Sequence, residues 1–123
     1  NKEEQPVYKG YETRKKDVVK TIVIENPVFQ VNLYDNGVID GDSVSLFYNG
    51  RLILSHKRLS DVPITVTLSV DKSRKDNVLT MYAENLGTIP PNTALMIVRD
   101  GDKRYEVRME SDMGKSGTVI FTH

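Results

Sequence analysis

Val28–Leu54 reads VFQVNLY, DNGVIDG, DSVSLFY, NG and RLIL, three alternating runs punctuated by two turns. In Val28–Tyr34, Phe29, Val31 and Leu33 fall on one side, and Gln30 and Asn32 on the other. Successive strand side chains point to opposite faces, so this alternation predicts a half-buried strand. In Asp42–Tyr48, Val44, Leu46 and Tyr48 share one face, and Ser43, Ser45 and Phe47 share the other. Asn49-Gly50 follows at once. Both residues tolerate the positive φ that a type I′ turn needs, so the pair predicts a hairpin joining Asp42–Tyr48 to Arg51–Ser55.

The same pattern extends in both directions. Val18–Ile24 is β-branched at every position but Lys20 and reads as a strand. Glu25-Asn26-Pro27 ends it, since Pro27 cannot donate to a ladder. Either a tight hairpin or a crossing to a second sheet fits so short a connection. Towards the C-terminus, Ser55–Asp61 reads as a polar connection. Pro63–Val70 then alternates, with Ile64, Val66, Leu68 and Val70 inward. After the solvated turn Asp71–Asp76 comes Val78–Glu84, with Leu79, Met81 and Ala83 on one face. Asn85-Leu86-Gly87 and Pro90-Pro91-Asn92 bracket a loop. Thr93–Arg99 and Lys103–Glu110 flank Asp100-Gly101, which predicts a second hairpin of the same kind. Ser111–Gly117 turns the chain into a last strand, Thr118–Thr122.

Eight or nine short strands with no helical periodicity predict an all-β fold. Each sheet buries one face, which two sheets packed together satisfy. The expected architecture is an immunoglobulin-like antiparallel β-sandwich over residues 18–123, with a galactose-binding-type jelly roll as the alternative. Residues 1–17 are polar and nearly free of aliphatic side chains, and read as a flexible tail. Tyr8 and Tyr11 are the tail residues suited to docking on the body.

Composition narrows function mainly by exclusion. Seventeen basic residues balance seventeen acidic ones, which gives no reason to expect nucleic acid or an anionic membrane as a partner. The absence of cysteine removes disulfides and thiolate chemistry. No apolar run approaches the roughly 18–20 residues that span a bilayer. The chain opens on Asn1 without an initiating Met, and the expectation is a mature or trimmed form.

Three carboxylates, Asp35, Asp40 and Asp42, lie within the eight residues 35–42. Oxygen-rich clusters of this kind suit calcium, which takes six to eight oxygen ligands. The EF-hand spacing fails, because Gly37 and Ile39 fall on ligand places. The competing reading is a long turn, in which Asp and Asn bond their own backbone. His56 is the one internal histidine and stands beside Lys57 and Arg58, which argues for a solvated loop rather than a triad or zinc site. Gly114-Lys115-Ser116 lacks the upstream glycine of a phosphate loop, where Met109 stands. No Trp is present to form a sugar platform, and Phe47 reads as a minor-core residue on the second face of its sheet.

The paired runs YDNGVIDGDSVSLFYNGRLIL and LTMYAENLGTIPPNTALMIV resemble a β-sandwich module of unknown function from secreted proteins and lipoproteins of Bacteroidota. The resemblance rests on Asp35, Asn36, Gly37, Asp40, Gly41, Asp42, Asn49 and Gly50, and on Ala83–Asn85, Gly87 and Pro90–Ala94. It covers residues 18–122. It implies an exported, periplasmic or cell-surface location, with a lipid anchor upstream, and a non-catalytic accessory role with a protein or glycan of the cell envelope as partner. It also implies that Asp35–Asp42 and Glu84–Asn92 lie close together. On that basis Asp35, Asp40, Asp42 and Glu84 are the candidate calcium ligands. A calcium-dependent glycan-binding module and a structural spacer working by edge-strand pairing are the alternatives.

Overall fold

The alternating runs form strands where the alternation marks them. The computed structural model describes residues 9–35, 41–85 and 92–123. A five-residue helix, α1 (Lys9–Thr13), precedes β1 (Lys15–Val23), β2 (Val28–Asp35), β3 (Ser43–Tyr48), β4 (Arg51–Arg58) and β5 (Ile64–Ser69). Then come β6 (Asp76–Asn85), β7 (Asn92–Asp100), β8 (Lys103–Ser111) and β9 (Lys115–Thr122). The strands make two sheets, five-stranded β1-β9-β6-β3-β4 and four-stranded β5-β2-β7-β8. The fold is an all-β sandwich. Its first and last strands, β1 and β9, pair in parallel at one edge.

The inward faces are those the alternation assigns. Phe29, Val31 and Leu33 of β2 form one buried cluster with Val44 and Leu46 of β3 and Leu79 and Met81 of β6, and Ala83 of β6 is also buried. Met96 and Val98 of β7, Val107 and Met109 of β8, and Val119 and Phe121 of β9 complete the layer. The Phe29 and Phe121 rings meet with centroids 4.7 Å apart across the sheets. The chain crosses between sheets at Glu25-Asn26-Pro27, and the buried Asp100 carboxylate holds that crossing. It accepts from the Glu25 N–H (2.8 Å), the Asn26 N–H (3.1 Å) and the Asn26 side-chain amide (2.6 Å).

The two tight turns differ. Asn49 (φ 54°) and Gly50 (φ 82°) both carry positive φ, as a type I′ turn requires. At the second hairpin only Gly101 does (φ 63°), the pattern of a type II′ turn. The two hairpins are therefore not of one kind.

Three further expectations are corrected. The chain is structured before Val18: β1 begins at Lys15, and α1 lies within the segment expected to be a tail. The supposed polar connection Ser55–Asp61 is strand as far as Arg58. It also contains Leu59, which is fully buried and donates its N–H to the Asp42 carbonyl at 2.9 Å. Ser111 remains in β8, and Lys115–Gly117 already belong to β9, so the last turn is shorter than expected.

β8 packs near β9, β6 and β1, which closes that side of the sandwich. Gly117 marks the contact, because a Cβ there would lie 2.9 Å from the Glu110 carbonyl oxygen. Ser111 bridges the same place, donating to the Met81 carbonyl (2.7 Å) and accepting from the Gly117 N–H (2.9 Å). Nothing comparable joins β4 to β5 on the opposite side.

Candidate functional site

Four strands end the two sheets, and three of them are blunted. β1 carries Lys15, Lys16 and Lys20 and a register shift between Val18 and Lys20. β4 carries Arg51, Lys57 and Arg58, and its register slips twice against β3. β8 alternates charged residues outward, at Arg104, Glu106, Arg108 and Glu110. Charges and bulges of this sort keep a sheet edge from recruiting another strand. β5, ITVTLS, has neither: it bears no charge and pairs with β2 in unbroken register from Ile64↔Leu33 to Ser69↔Val28.

The phase of the β2–β5 ladder fixes which groups this edge presents. Val70 donates to the Pro27 carbonyl at 2.8 Å, so Pro27 and Val70 face each other as a hydrogen-bonded pair. Hydrogen-bonded and non-hydrogen-bonded pairs alternate along an antiparallel ladder. Leu68, Val66 and Ile64 therefore exchange bonds with β2. The N–H and C=O groups of Thr65, Thr67 and Ser69 point away from it. The Tyr48 hydroxyl confirms the phase by donating to the Ser69 carbonyl at 2.8 Å from the facing sheet. Burial pushes the Tyr48 hydroxyl pKa up to about 12, aided by Asp71 and opposed by Arg74, so it remains a donor at neutral pH. Among the described residues, no strand but β2 pairs with β5.

Beside this edge the sandwich is open. β4 is the edge strand of the five-stranded sheet on the side where β5 ends the other sheet. Tyr48, Ile53, Leu54, Ile64 and Val66 all pack against the core, yet each is only half-buried. Register places Arg51 opposite Tyr48 and Lys57 opposite Val44. Directly opposed residues share a face, so both basic side chains leave β4 on the side that looks toward β5. The result is an apolar seam with a cation near each end.

A second cluster lies on the outer face of the five-stranded sheet. The Ser45 hydroxyl donates to Oε2 of Glu84, and His56 Nε2 lies 3.1 Å from Oε1. Ser45 Oγ accepts the His56 N–H at 3.0 Å, and His56 Nδ1 lies 2.9 Å from Ser55 Oγ. His56 has φ 51°, a left-handed conformation that costs a non-glycine residue about 1–2 kcal/mol. Between Val44↔Lys57 and Leu46↔Leu54, β4 carries one residue more than β3, and His56 sits in that bulge. His56 is therefore a strand residue and not part of a solvated loop, though its side chain is 62% exposed. Asn49-Gly50 and the Ser45–Glu84 pairing build this arrangement, and a bulge within a charged run leaves no sequence signal.

The same face shows what became of the aromatic residues. Phe47 is 4% exposed and Tyr82 is 8% exposed. Tyr11 stacks on Phe47 with centroids 4.1 Å apart, and the Arg14 guanidinium lies 3.9 Å above the Tyr82 ring. Arg14 also donates to the Ala83 carbonyl at 2.8 Å. Lys16 lies 4.0 Å from the Tyr11 ring centre and donates to the Tyr11 carbonyl. Phe47 is thus a minor-core residue, as its phase suggested, and Tyr11 is the tail tyrosine that docks. Tyr8 lies outside the described residues.

The candidate calcium ligands stand on different elements. Asp35 ends β2 opposite Ala94, in the four-stranded sheet. Asp42 is buried just before β3, in the other sheet. Glu84 engages Ser45 and His56. Asp40 lies outside the described residues, as do Asn36–Ile39 and Leu86–Pro91. Among the described residues, no three His, Asp or Glu side chains gather in a way that would hold a metal ion. Lys115 and Ser116 lie in a strand, not at the start of a helix. No described helix is long and apolar enough to cross a membrane. No protein-family model matches the chain, and no curated protein or solved structure matches it.

Proposed function

We propose that this domain is a non-catalytic accessory module of an exported protein, and that it joins a protein partner by strand addition to β5. The observation that carries the reading is the contrast among the four sheet edges. Three are charged or bulged, and β5 is regular, uncharged and, among the described residues, paired on one side only. An open edge supplies main-chain donors and acceptors in a fixed array, which gives an extended segment affinity without a deep pocket. Export and the envelope setting rest on the sequence resemblance. A glycan-binding reading draws less support, because Phe47 and Tyr82 are covered by Tyr11 and Arg14.

Selection of binders from a displayed library of proline-free peptides tests the reading. Binders are expected to lose affinity for Thr67→Pro, a change that removes an outward N–H and leaves the β2 ladder intact. Binders indifferent to that change would refute strand addition. Fractionation of the source cells checks the location, and recovery in the cytoplasm would refute export.

A further inference from the structure

We infer that the partner of β5 is an extended segment with aliphatic residues at alternate central positions and acidic residues at both ends. The inference rests on the strand-addition reading and adds the chemistry of the occupant. A strand laid on β5 becomes the fifth strand of the smaller sheet. It then lies on the side of the sandwich where β4 is the edge strand of the other sheet. Alternate side chains of that strand point inward, since the strand period is two. They land on Ile53 and Leu54, which the sandwich leaves half-buried. Small or polar inward residues would leave this seam wet.

The ends of the segment meet charge. Arg51 lies near the Ser69 end of β5, where Tyr48 reaches across, and Lys57 lies near the Ile64 end, before the short connection Leu59–Pro63. Both are exposed, and neither makes an ion pair among the described residues. The acids of the adjoining turns do not neutralise them: Asp71 is held by Ser73 and Arg74, and Asp61 belongs to the turn before β5. A second copy of the chain docked β5 to β5 brings two such cationic β4 strands to one side of the joint. Like charges facing across an interface disfavour it. An acidic-flanked partner turns the same charges into attraction.

The probes are two synthetic eight-residue peptides with the same alternating Val/Thr centre, one with Glu at both ends and one with Lys at both ends. Fluorescence anisotropy gives their affinities, and amide hydrogen exchange locates them. The acidic peptide should bind about tenfold more tightly, since each exposed pair contributes a few-fold and reversal counts both attraction and repulsion. The difference should shrink in high salt. Arg51→Glu combined with Lys57→Glu should invert the preference. Bound peptide should slow exchange at Thr65 and Thr67 and leave Val66, already in the β2 ladder, little changed. That exchange pattern needs no variant and stands even where Thr67→Pro fails to fold. Equal binding of both peptides at β5 would overturn the acidic-partner inference and leave strand addition intact. Binding without protection at Thr65 and Thr67 would overturn both, as would no binding at millimolar peptide. A dimer of the free chain that protects Thr65 and Thr67 and excludes both peptides would make a second copy the occupant and overturn the inference.

Discussion

Replacing Asp100 with Ala should be among the most destabilising single changes outside the apolar core, and the effect should vanish in acid. The carboxylate accepts three hydrogen bonds, from the N–H groups of Glu25 and Asn26 and from the Asn26 side-chain amide. A hydrogen bond to a charged group contributes about 1.5–3 kcal/mol. Glu25 and Asn26 are exposed, so water can serve their freed donors, and the three bonds do not simply add. A loss of about 2–4 kcal/mol is expected. At this chain length that lowers Tm by roughly 7–15 °C. Burial alone raises the Asp100 pKa, but the bonds from Glu25 and Asn26 and the Lys103 charge together hold it below the usual carboxylate range. Between the two pKa values the unfolded chain binds more protons than the folded one, so this contribution rises with pH. It is complete above the unfolded value of about 3.9 and is lost as pH falls through the lower folded value. Urea melts of the two proteins from pH 7 to pH 2 should show a gap that is constant above about pH 5 and closes in acid. A gap under about 0.5 kcal/mol at pH 7, or one that widens on acidification, would refute the argument.

Leu59→Ala should cost about 2–5 kcal/mol in urea melts, since Leu59 is fully buried despite its polar neighbours; a change below about 1 kcal/mol would show that the site is wet. Gly117→Ala should destabilise by about 1–3 kcal/mol, because the added methyl meets the Glu110 carbonyl at 2.9 Å and backbone cannot move aside as a side chain does. A neutral result in thermal melts would mean that β8 and β9 are not held so close. Tyr11→Ala should cost about 1–2 kcal/mol and speed tryptic cleavage near Arg14, since it removes the ring stacked on Phe47; unchanged cleavage would show that the N-terminal segment is held by other contacts.

The parts of the fold legible in the sequence are those set by local physics. Alternation marks a strand wherever one face is buried and the other wet, so β2, β3, β5 and β8 could be read with their faces assigned. Asn49-Gly50 could be read because the turn itself demands positive φ. β4 could not be read past Ser55. It is an edge strand, its charged residues are tolerated there, and the His56 bulge breaks the period. Leu59 escaped because a single apolar residue in a polar run has no period. The parallel β1–β9 pair joins residues about a hundred positions apart, and no local pattern encodes such a partner. The cluster of Ser45, His56 and Glu84 failed for the same reason, since three strands must align before it exists.

The open edge of β5 occupies a middle position. Its composition was visible as six uncharged residues, but their meaning was not, because any interior strand has the same composition. Only the sheet order turns the absence of charge into a statement about binding. In a central strand that absence reflects burial. On an edge it leaves the chain open to association, a hazard that the other three edges of this molecule suppress with lysines, arginines or bulges. Adding charge at Thr67 would suppress it here too, since its side chain is exposed and contributes nothing to the apolar core, whereas Thr65 Oγ1 accepts from the buried Asn32 amide at 2.8 Å. Thr67→Lys should therefore leave the melting temperature within a few degrees, as surface changes do. It should also weaken binding of the lysine-flanked peptide, because a further cation then stands at the edge. If Tm instead fell by roughly 10 °C or more, the edge would be built for the domain's own stability and not for a partner.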